Sequence, residues 1–181
     1  MSTKTTIVNL ADRLIRQNGY HAFSYKDISS RLKIKNAAVH YHFPTKGDLG
    51  AAVIDKSRLQ FKKSIEEWSS LEPRDQIEAF LNIYSSIGNQ HLVCFMGALG
   101  ASFDSLPEVM QQSLHEASLE IREWLRSVLE AGLKDESMTF RESVEQKADA
   151  IVSSLLASLI LNKVTNENVL ENTSNSIKKS I

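Results

Sequence analysis

Between Tyr25 and Lys46 the sequence gathers side chains that suit a polyanion and flat, hydrogen-bonding partners. Lys33 and Lys35 precede the string "NAAVHYHF", and Thr45 and Lys46 follow it, so cations and a hydroxyl bracket a short segment beginning at Asn36. Within it, Ala37 and Ala38 are small enough to lie against bases or thymine methyls, and His40 and Tyr41 can donate to acceptors or stack. Read as a helix, the segment turns Val39 and Phe43 inward. Asn36, Ala37, Ala38, His40 and Tyr41 then occupy its early, outward part, where base edges would be met. Lys33, Lys35, Thr45 and Lys46 stand at its two ends, where phosphates would pass. Tyr25 and Lys26 follow Ser24 at another helix start, whose backbone N–H groups favour phosphate, and are further candidate clamps.

Other chemistries find less support. His40 and His42 are two apart, which on a helix points them to different sides, and a metal site would have to recruit distant His91 or His115; no metal and no cofactor is expected. The seven glycines are scattered and form no phosphate-cradling loop, so nucleotide hydrolysis is not indicated. Glu66/Glu67 and Asp135/Glu136 lie in polar surroundings and read as solvated surface. No catalytic residue is assigned. Cys94 opens an apolar stretch, where a helix dipole would favour the reactive thiolate, so it is a candidate redox or electrophile sensor; a small buried hydrophobe is the plainer reading.

The elements that must position these residues are all helical. Ile7, Leu10, Ala11, Leu14 and Ile15 recur at helical spacing, and Gly19 suits a left-handed helix end. Ser24 and Asp27 predict a capping box opening a second helix with Tyr25, Ile28 and Leu32 inside. The "KIK" segment turns the chain, Lys35 or Asn36 caps the third helix, and Pro44 breaks it. Thr45 and Asp48 predict another capping box and a long helix to Trp68. Two short helices joined by a three-residue turn, with a helix before and one after, make a helix-turn-helix unit. Beyond it, Pro73 begins a helix through Ile87, "VCFMGALGASF" another, and Pro107 a long one to Gly132. Thr139 and Glu142 predict a capping box before a helix through Leu161, and the tail holds a last helix with Val169, Leu170, Ile177 and Ile181. The expected fold is all-α: an N-terminal three-helix helix-turn-helix domain, residues 1–46, and a C-terminal helical domain, residues 47–181.

Composition agrees and hides an asymmetry. The 181 residues are 42% hydrophobic and 24% charged, an ordinary globular balance, and one cysteine leaves no disulfide framework. The apolar run from Ala150 to Leu161 is shorter than the roughly 20 residues a bilayer requires. The start has no apolar signal core, so a cytoplasmic chain without membrane contact is expected. The net charge of -1 is a sum of unlike parts: residues 1–46 hold eight basic and two acidic side chains, a net +6, and the rest carries -7. A basic end on an acidic body suits a DNA-binding head, although solvated helix faces would also carry such charge.

The stretch from about Ile7 to Val53 resembles the DNA-binding domain of the TetR family of bacterial transcriptional repressors. The first amphipathic helix, "NGY", "DISSRLKI" and above all "AAVHYHFPTKGDL" carry the resemblance, the last through its small-small-apolar-aromatic-x-His-Phe-x-x-Lys order. It implies a homodimer on a palindromic double-stranded DNA operator, released when an effector enters the second domain, with the helix after Thr45 as mechanical coupling. Three positions depart from the family pattern. Lys33 replaces the usual turn glycine, at about 1 kcal/mol if its φ is positive. Lys35 replaces a Ser or Thr, and His40 replaces a Tyr, which bears on operator preference.

The body offers two further candidate sets. Phe61, Trp68, Tyr84, His91, Phe95, Met96, Phe103, His115 and Trp124 are aromatic or soft residues that suit a pocket for an apolar or aromatic small-molecule effector, or else plain core. The helix through Leu161 carries more apolar surface than one stripe needs. Val152, Leu155, Leu156, Leu159 and Ile160 are therefore the expected dimer interface, against the alternative of a helix buried in a monomer. From a different class, a helical protein–protein adaptor with a basic head also fits the charge.

Overall fold

The computed structural model describes residues 2–181, which form nine α-helices joined by turns and two 3-10 segments. They are α1 Thr3–Asn18, α2 Tyr25–Leu32, α3 Asn36–His42, α4 Lys46–Trp68, α5 Pro73–Gly88, α6 Phe95–Leu99, α7 Glu108–Lys134, α8 Val144–Thr165 and α9 Val169–Lys179. The 3-10 segments are Tyr20–Ala22 and Gly100–Ser105. The chain packs as two compact units, Met1–Gln60 with Phe95–Ala117, and Phe61–Cys94 with Ser118–Ile181.

In the first unit the apolar stripes converge on one core. Ile7, Leu14 and Ile15 of α1, Ile28 of α2, Val39 of α3 and Leu49, Val53 and Ile54 of α4 are at most 1% exposed. Each such burial stabilises the fold by about 1.5–3 kcal/mol against an exposed side chain. Val8 takes the place expected for Leu10, which is half-buried because the stripe drifts around the helix. The Ser24–Asp27 capping box is present at the start of α2. Gly19 has φ 88° and ψ 163°, so glycine is needed there, but in extended backbone rather than the left-handed helical form. The apolar string after Cys94 forms only the five residues of α6 and then the 3-10 segment, where Ser102 leaves helical geometry.

Within this unit α4 approaches the start of α7 closely. A Cβ on Gly47 would stand 2.9 Å from Pro107 Cβ, and one on Gly50 2.3 Å from Met110 Sδ, with Met110 fully buried. Gly50 weakens a helix by up to about 1 kcal/mol relative to Ala, and the packing it permits offsets that loss.

In the second unit, Phe61, Phe80, Tyr84 and Trp124 are buried and Trp68 is half-buried, with Leu125 and Leu129 of α7 fully covered beside them. Pro73 is the first residue of α5, as its fixed φ favours. The box that opens α8 is Ser143 with Gln146. The expected Thr139–Glu142 box does not form: Glu142 instead accepts from Lys147 Nζ at 3.4 Å, and Ser143 stands one residue before the helix, where an Ncap must. Arg74 donates to the carbonyls of Ser137 and Ile181, tying the α7–α8 turn and the last residue to α5.

α8 also corrects the length argument made from its apolar run. The helix has 22 residues and a window of mean hydropathy 1.3, long and apolar enough by length and composition to cross a membrane. Its Ile151, Leu155 and Leu159 are buried in the packing of α8 with α5 and α9, and 33% of the apolar window is buried.

Gly50→Val is expected to lower the unfolding free energy by about 1–3 kcal/mol through overpacking. Combined with Met110→Ala, the loss should fall short of the sum of the single losses by at least about 0.5 kcal/mol. Denaturant unfolding of the four proteins checks this, and strict additivity would exclude the contact as the cause.

Candidate nucleic-acid interface

The geometry of the head follows from a short helix held from beneath. α3 has seven residues, too few to be stable alone, since isolated helices need about 12–15 residues even in favourable sequences. Val39 is fully buried and Phe43, its C-cap, is 3% exposed. Tyr25 of α2 donates its hydroxyl to the Phe43 carbonyl at 2.8 Å, and its ring meets His40 edge-on at 4.6 Å. Burial, then the Asp48 carboxylate and Tyr20, push the Tyr25 phenol up to about 12, so the hydroxyl stays a donor. Of the two roles that the sequence suggests for Tyr25, inner face and phosphate clamp, the packing serves the first, because the residue is buried and its proton is used internally.

The opposite face is bare. Asn36, Ala37, His40 and Tyr41 are exposed, at positions i, i+1, i+4 and i+5 of one helix face, and Ala38 is half-buried at its edge. Tyr41 is 84% exposed, far from the usual fate of an aromatic side chain, and its ring leans on His42 at 5.2 Å. Lys26, Lys33, Lys35 and Thr45 are exposed around this face.

The ends of α3 are set by local chemistry. Lys33 adopts φ 55°, ψ 40° at the end of α2 and donates its N–H to the carbonyls of Ser29 and Ser30, so a lysine occupies a left-handed position that favours glycine. Lys35, not Asn36, is the N-cap of α3, and no side chain caps the helix. The leading N–H groups of α3 are thus left without a side-chain acceptor. Thr45 and Asp48 form the expected box: Thr45 N and Oγ1 donate to Asp48 Oδ2 at 2.9 and 2.8 Å, and Asp48 N donates to Thr45 Oγ1 at 3.1 Å.

Lys46 differs from the other cations. Its Nζ stands 4.4 Å from the ring centres of both Tyr20 and Phe23, and burial holds its pKa below the ordinary lysine value, opposed by the Asp27 carboxylate. Such cation–π contacts fix where the charge sits. Lys4, which sequence reasoning counted only as charge, places Nζ 5.6 Å from the Phe43 ring, beside the end of α3. Nothing in the spacing reveals it, because α1 is brought there by its buried stripe. Arg16 is turned inward, paired with Asp12 at 2.5 Å and bonded to Ser57.

The other sequence-derived sets are only partly brought together. Phe61, Trp68, Tyr84 and Trp124 meet in the second unit with Phe80, their ring centres 5.1–6.4 Å apart in a chain of contacts. These rings fill one another's space. His91 is exposed at the rim of a separate cavity, and Phe95, Met96, Phe103 and His115 belong to the first unit, with Phe103 and His115 exposed. Five of the nine thus lie in the second unit and four in the first, and the string after Cys94 passes into the 3-10 segment, where Phe103 is exposed. Of the expected dimer residues, Val152, Leu155 and Leu159 are buried inside their own unit because α5 and α9 cover that side, whereas Leu156 is half-buried and Ile160 is 44% exposed. Leu161 and Val164 continue the uncovered side at 45% and 76%. Cys94 is 4% exposed and precedes a helix of only five residues, which gives a reagent little access and a small dipole.

A bare helix face framed by lysines, on a second helix that is pinned to a first across a three-residue turn, is the arrangement of a helix-turn-helix DNA-binding regulator. Residues 7–53 match the family described as bacterial regulatory proteins, tetR family. A TetR transcriptional regulator from Legionella pneumophila is 32% identical, with 100% of this chain and 98% of that chain covered and a TM-score of 0.91. The chain belongs to the TetR family of transcriptional regulators. A TetR-family regulator from Agrobacterium tumefaciens (23% identity, 98% and 96% covered, TM-score 0.92) and E. coli NemR in its reduced form (20%, 99% and 97%, 0.82) share the fold. No curated protein matches the sequence.

Replacing Lys33 by glycine should separate backbone strain from charge. Lys33→Gly is expected to raise stability by up to about 1 kcal/mol, read by thermal unfolding. The same variant should bind duplex DNA more weakly, with a log–log salt slope shallower by about one; an unchanged slope would remove Lys33 from the phosphate contacts.

Proposed function

We propose that this regulator binds a palindromic operator as a homodimer, represses from it, and is released by a small-molecule effector held in its C-terminal domain. The observation that carries the reading is the uncovered face of α3, with Tyr41 84% exposed above a fully buried Val39. An aromatic left in water at the centre of a basic rim is explained by a partner with a flat, polar surface. In this proposal Asn36, Ala37, Ala38, His40 and Tyr41 meet base edges. Lys26, Lys33, Lys35, Thr45 and Lys46 meet phosphates, joined by Lys4. Residues 1–46 act as the DNA-binding head and residues 47–181 as the effector-binding and dimerisation body, and the chain has no catalytic role.

Two subunits are needed because a seven-residue helix reads only a few base pairs, and a two-fold axis doubles the site. The seam we propose is the open side of α8: Leu156, Ile160, Leu161 and Val164, with Ser153 and Ala157 small enough for a partner helix to approach. For the effector, the aromatic cluster of Phe61, Trp68, Tyr84 and Trp124 is the proposed site. A ligand would enter by parting rings that now touch, which favours flat apolar molecules. Sensing through Cys94 finds no support in its burial.

A gel shift with the DNA upstream of the protein's own gene, at physiological salt, tests the reading against the adaptor alternative. Specific retention is expected; none would reject it. Tyr41→Ala and His40→Ala should change which duplexes are retained, costing about 1–3 kcal/mol on the preferred one. Val164→Glu should shift the sedimentation mass from two subunits towards one, and an unchanged dimer would move the seam elsewhere.

A further inference from the structure

The side chains on α3 also bear on which bases the helix suits. In the major groove each base edge asks for a different partner. Guanine O6 and N7 suit a bidentate arginine or lysine, and cytosine N4 suits a carboxylate. Adenine N6 and N7 suit the amide of asparagine or glutamine, and the thymine methyl suits an apolar contact. What a helix offers, and what it lacks, therefore limits the sequences it can favour.

α3, Asn36–His42, carries no arginine, lysine, aspartate or glutamate. Its first turn presents exposed Asn36 and Ala37, with half-buried Ala38 beside them. An amide combines the donor and the acceptor that an adenine edge requires, and an alanine methyl is small enough to meet a thymine methyl. His40 and Tyr41, further along the exposed face, can each donate to a purine N7. Adenine and guanine share that atom, so such a bond does not separate them.

The groups that would grip G·C pairs are engaged or lie off this helix. Of the three arginines in residues 1–46, Arg13 and Arg16 belong to α1 and Arg31 to the last turn of α2. The two carboxylates are committed: Asp12 to Arg16 and Lys56 at 2.5 and 3.1 Å, and Asp27 to the box with Ser24. Lys33 and Lys35 stand before α3, where the proposed function puts phosphates, and Lys46 rests on Tyr20 and Phe23.

We infer that α3 selects A·T pairs, so that the most strongly selected positions of each operator half-site are adjacent A·T pairs. The Asn36 amide takes an adenine edge, and the methyls of Ala37 and Ala38 lie against thymine methyls. This rests on the proposal that α3 enters the major groove, and adds to it the base pairs it prefers. G·C pairs meet no partner of matching chemistry on the helix.

Sequencing the duplexes that the full-length protein selects from a randomised pool tests the two levels separately. Adjacent A·T pairs are expected at the most enriched half-site positions. Strongest enrichment of G·C pairs overturns this inference and leaves operator binding standing, whereas no enriched sequence removes both. On the selected duplex, uracil in place of thymine deletes only the methyl and should weaken binding about three- to fivefold per methyl met. 7-Deazaadenine removes N7 and should weaken binding about tenfold. Asn36→Asp keeps the side chain's size, and a negative charge at a helix start is favourable, so the variant should melt no lower than the parent. It should select cytosine at one half-site position where the parent selects adenine, because cytosine N4 donates to a carboxylate. Undiminished affinity for both modified duplexes, or an unchanged selected base for Asn36→Asp, overturns the inference.

Discussion

A seven-residue helix must be held rigid from one side while its other side stays bare, and the rest of the head is built around that requirement. Backbone hydrogen bonds cannot supply the rigidity at this length. Val39 and Phe43 bury themselves beneath α3, and the Tyr25 hydroxyl closes the far end on the Phe43 carbonyl. The same Tyr25 ring fixes the neighbouring His40. Positioning of the exposed face is thus done by residues that never reach it. The burial that raises the Tyr25 phenol to about 12 keeps that proton in place far above neutral pH. Stability from this bond is fully present below the ordinary tyrosine value near 10 and is lost as pH rises through about 12.

The basic end divides into charges that face outward and charges that hold the fold. Lys26, Lys33 and Lys35 project around α3, whereas Arg16 is committed to Asp12 and Ser57, and Lys46 rests on two rings. A net charge of +6 over residues 1–46 therefore overstates the cations a phosphate backbone would meet at once. Lys46 is half-buried against Tyr20 and Phe23, whereas Lys26, Lys33 and Lys35 are exposed.

What was legible in the sequence was local. Ser24–Asp27 and Thr45–Asp48 announced helix starts because a capping box is written in four residues, and the stripes of α1 and α4 because burial repeats with the helical period. The exposed face of α3 was legible for the same reason. Long-range facts were not. Lys4 reaches Phe43 only through the docking of α1, and Phe103 turns outward only because the chain unwinds after Leu99. The width of α8 announced surface beyond one stripe but not which part its own neighbours take. Val152, Leu155 and Leu159 go inward, and the free side lies further along, at Ile160, Leu161 and Val164. Two capping candidates four residues apart, Thr139–Glu142 and Ser143–Gln146, cannot be ranked by pattern; the second forms, and Glu142 accepts from Lys147 instead.

Selection of duplexes from a randomised pool by the purified protein tests most directly whether the bare face of α3 reads sequence. The expected result is enrichment of an inverted repeat whose half-sites lie about 10 bp, one helical turn, apart. Retention that depends on salt alone and enriches no sequence would contradict it, and would leave the exposed Tyr41 without a role in recognition.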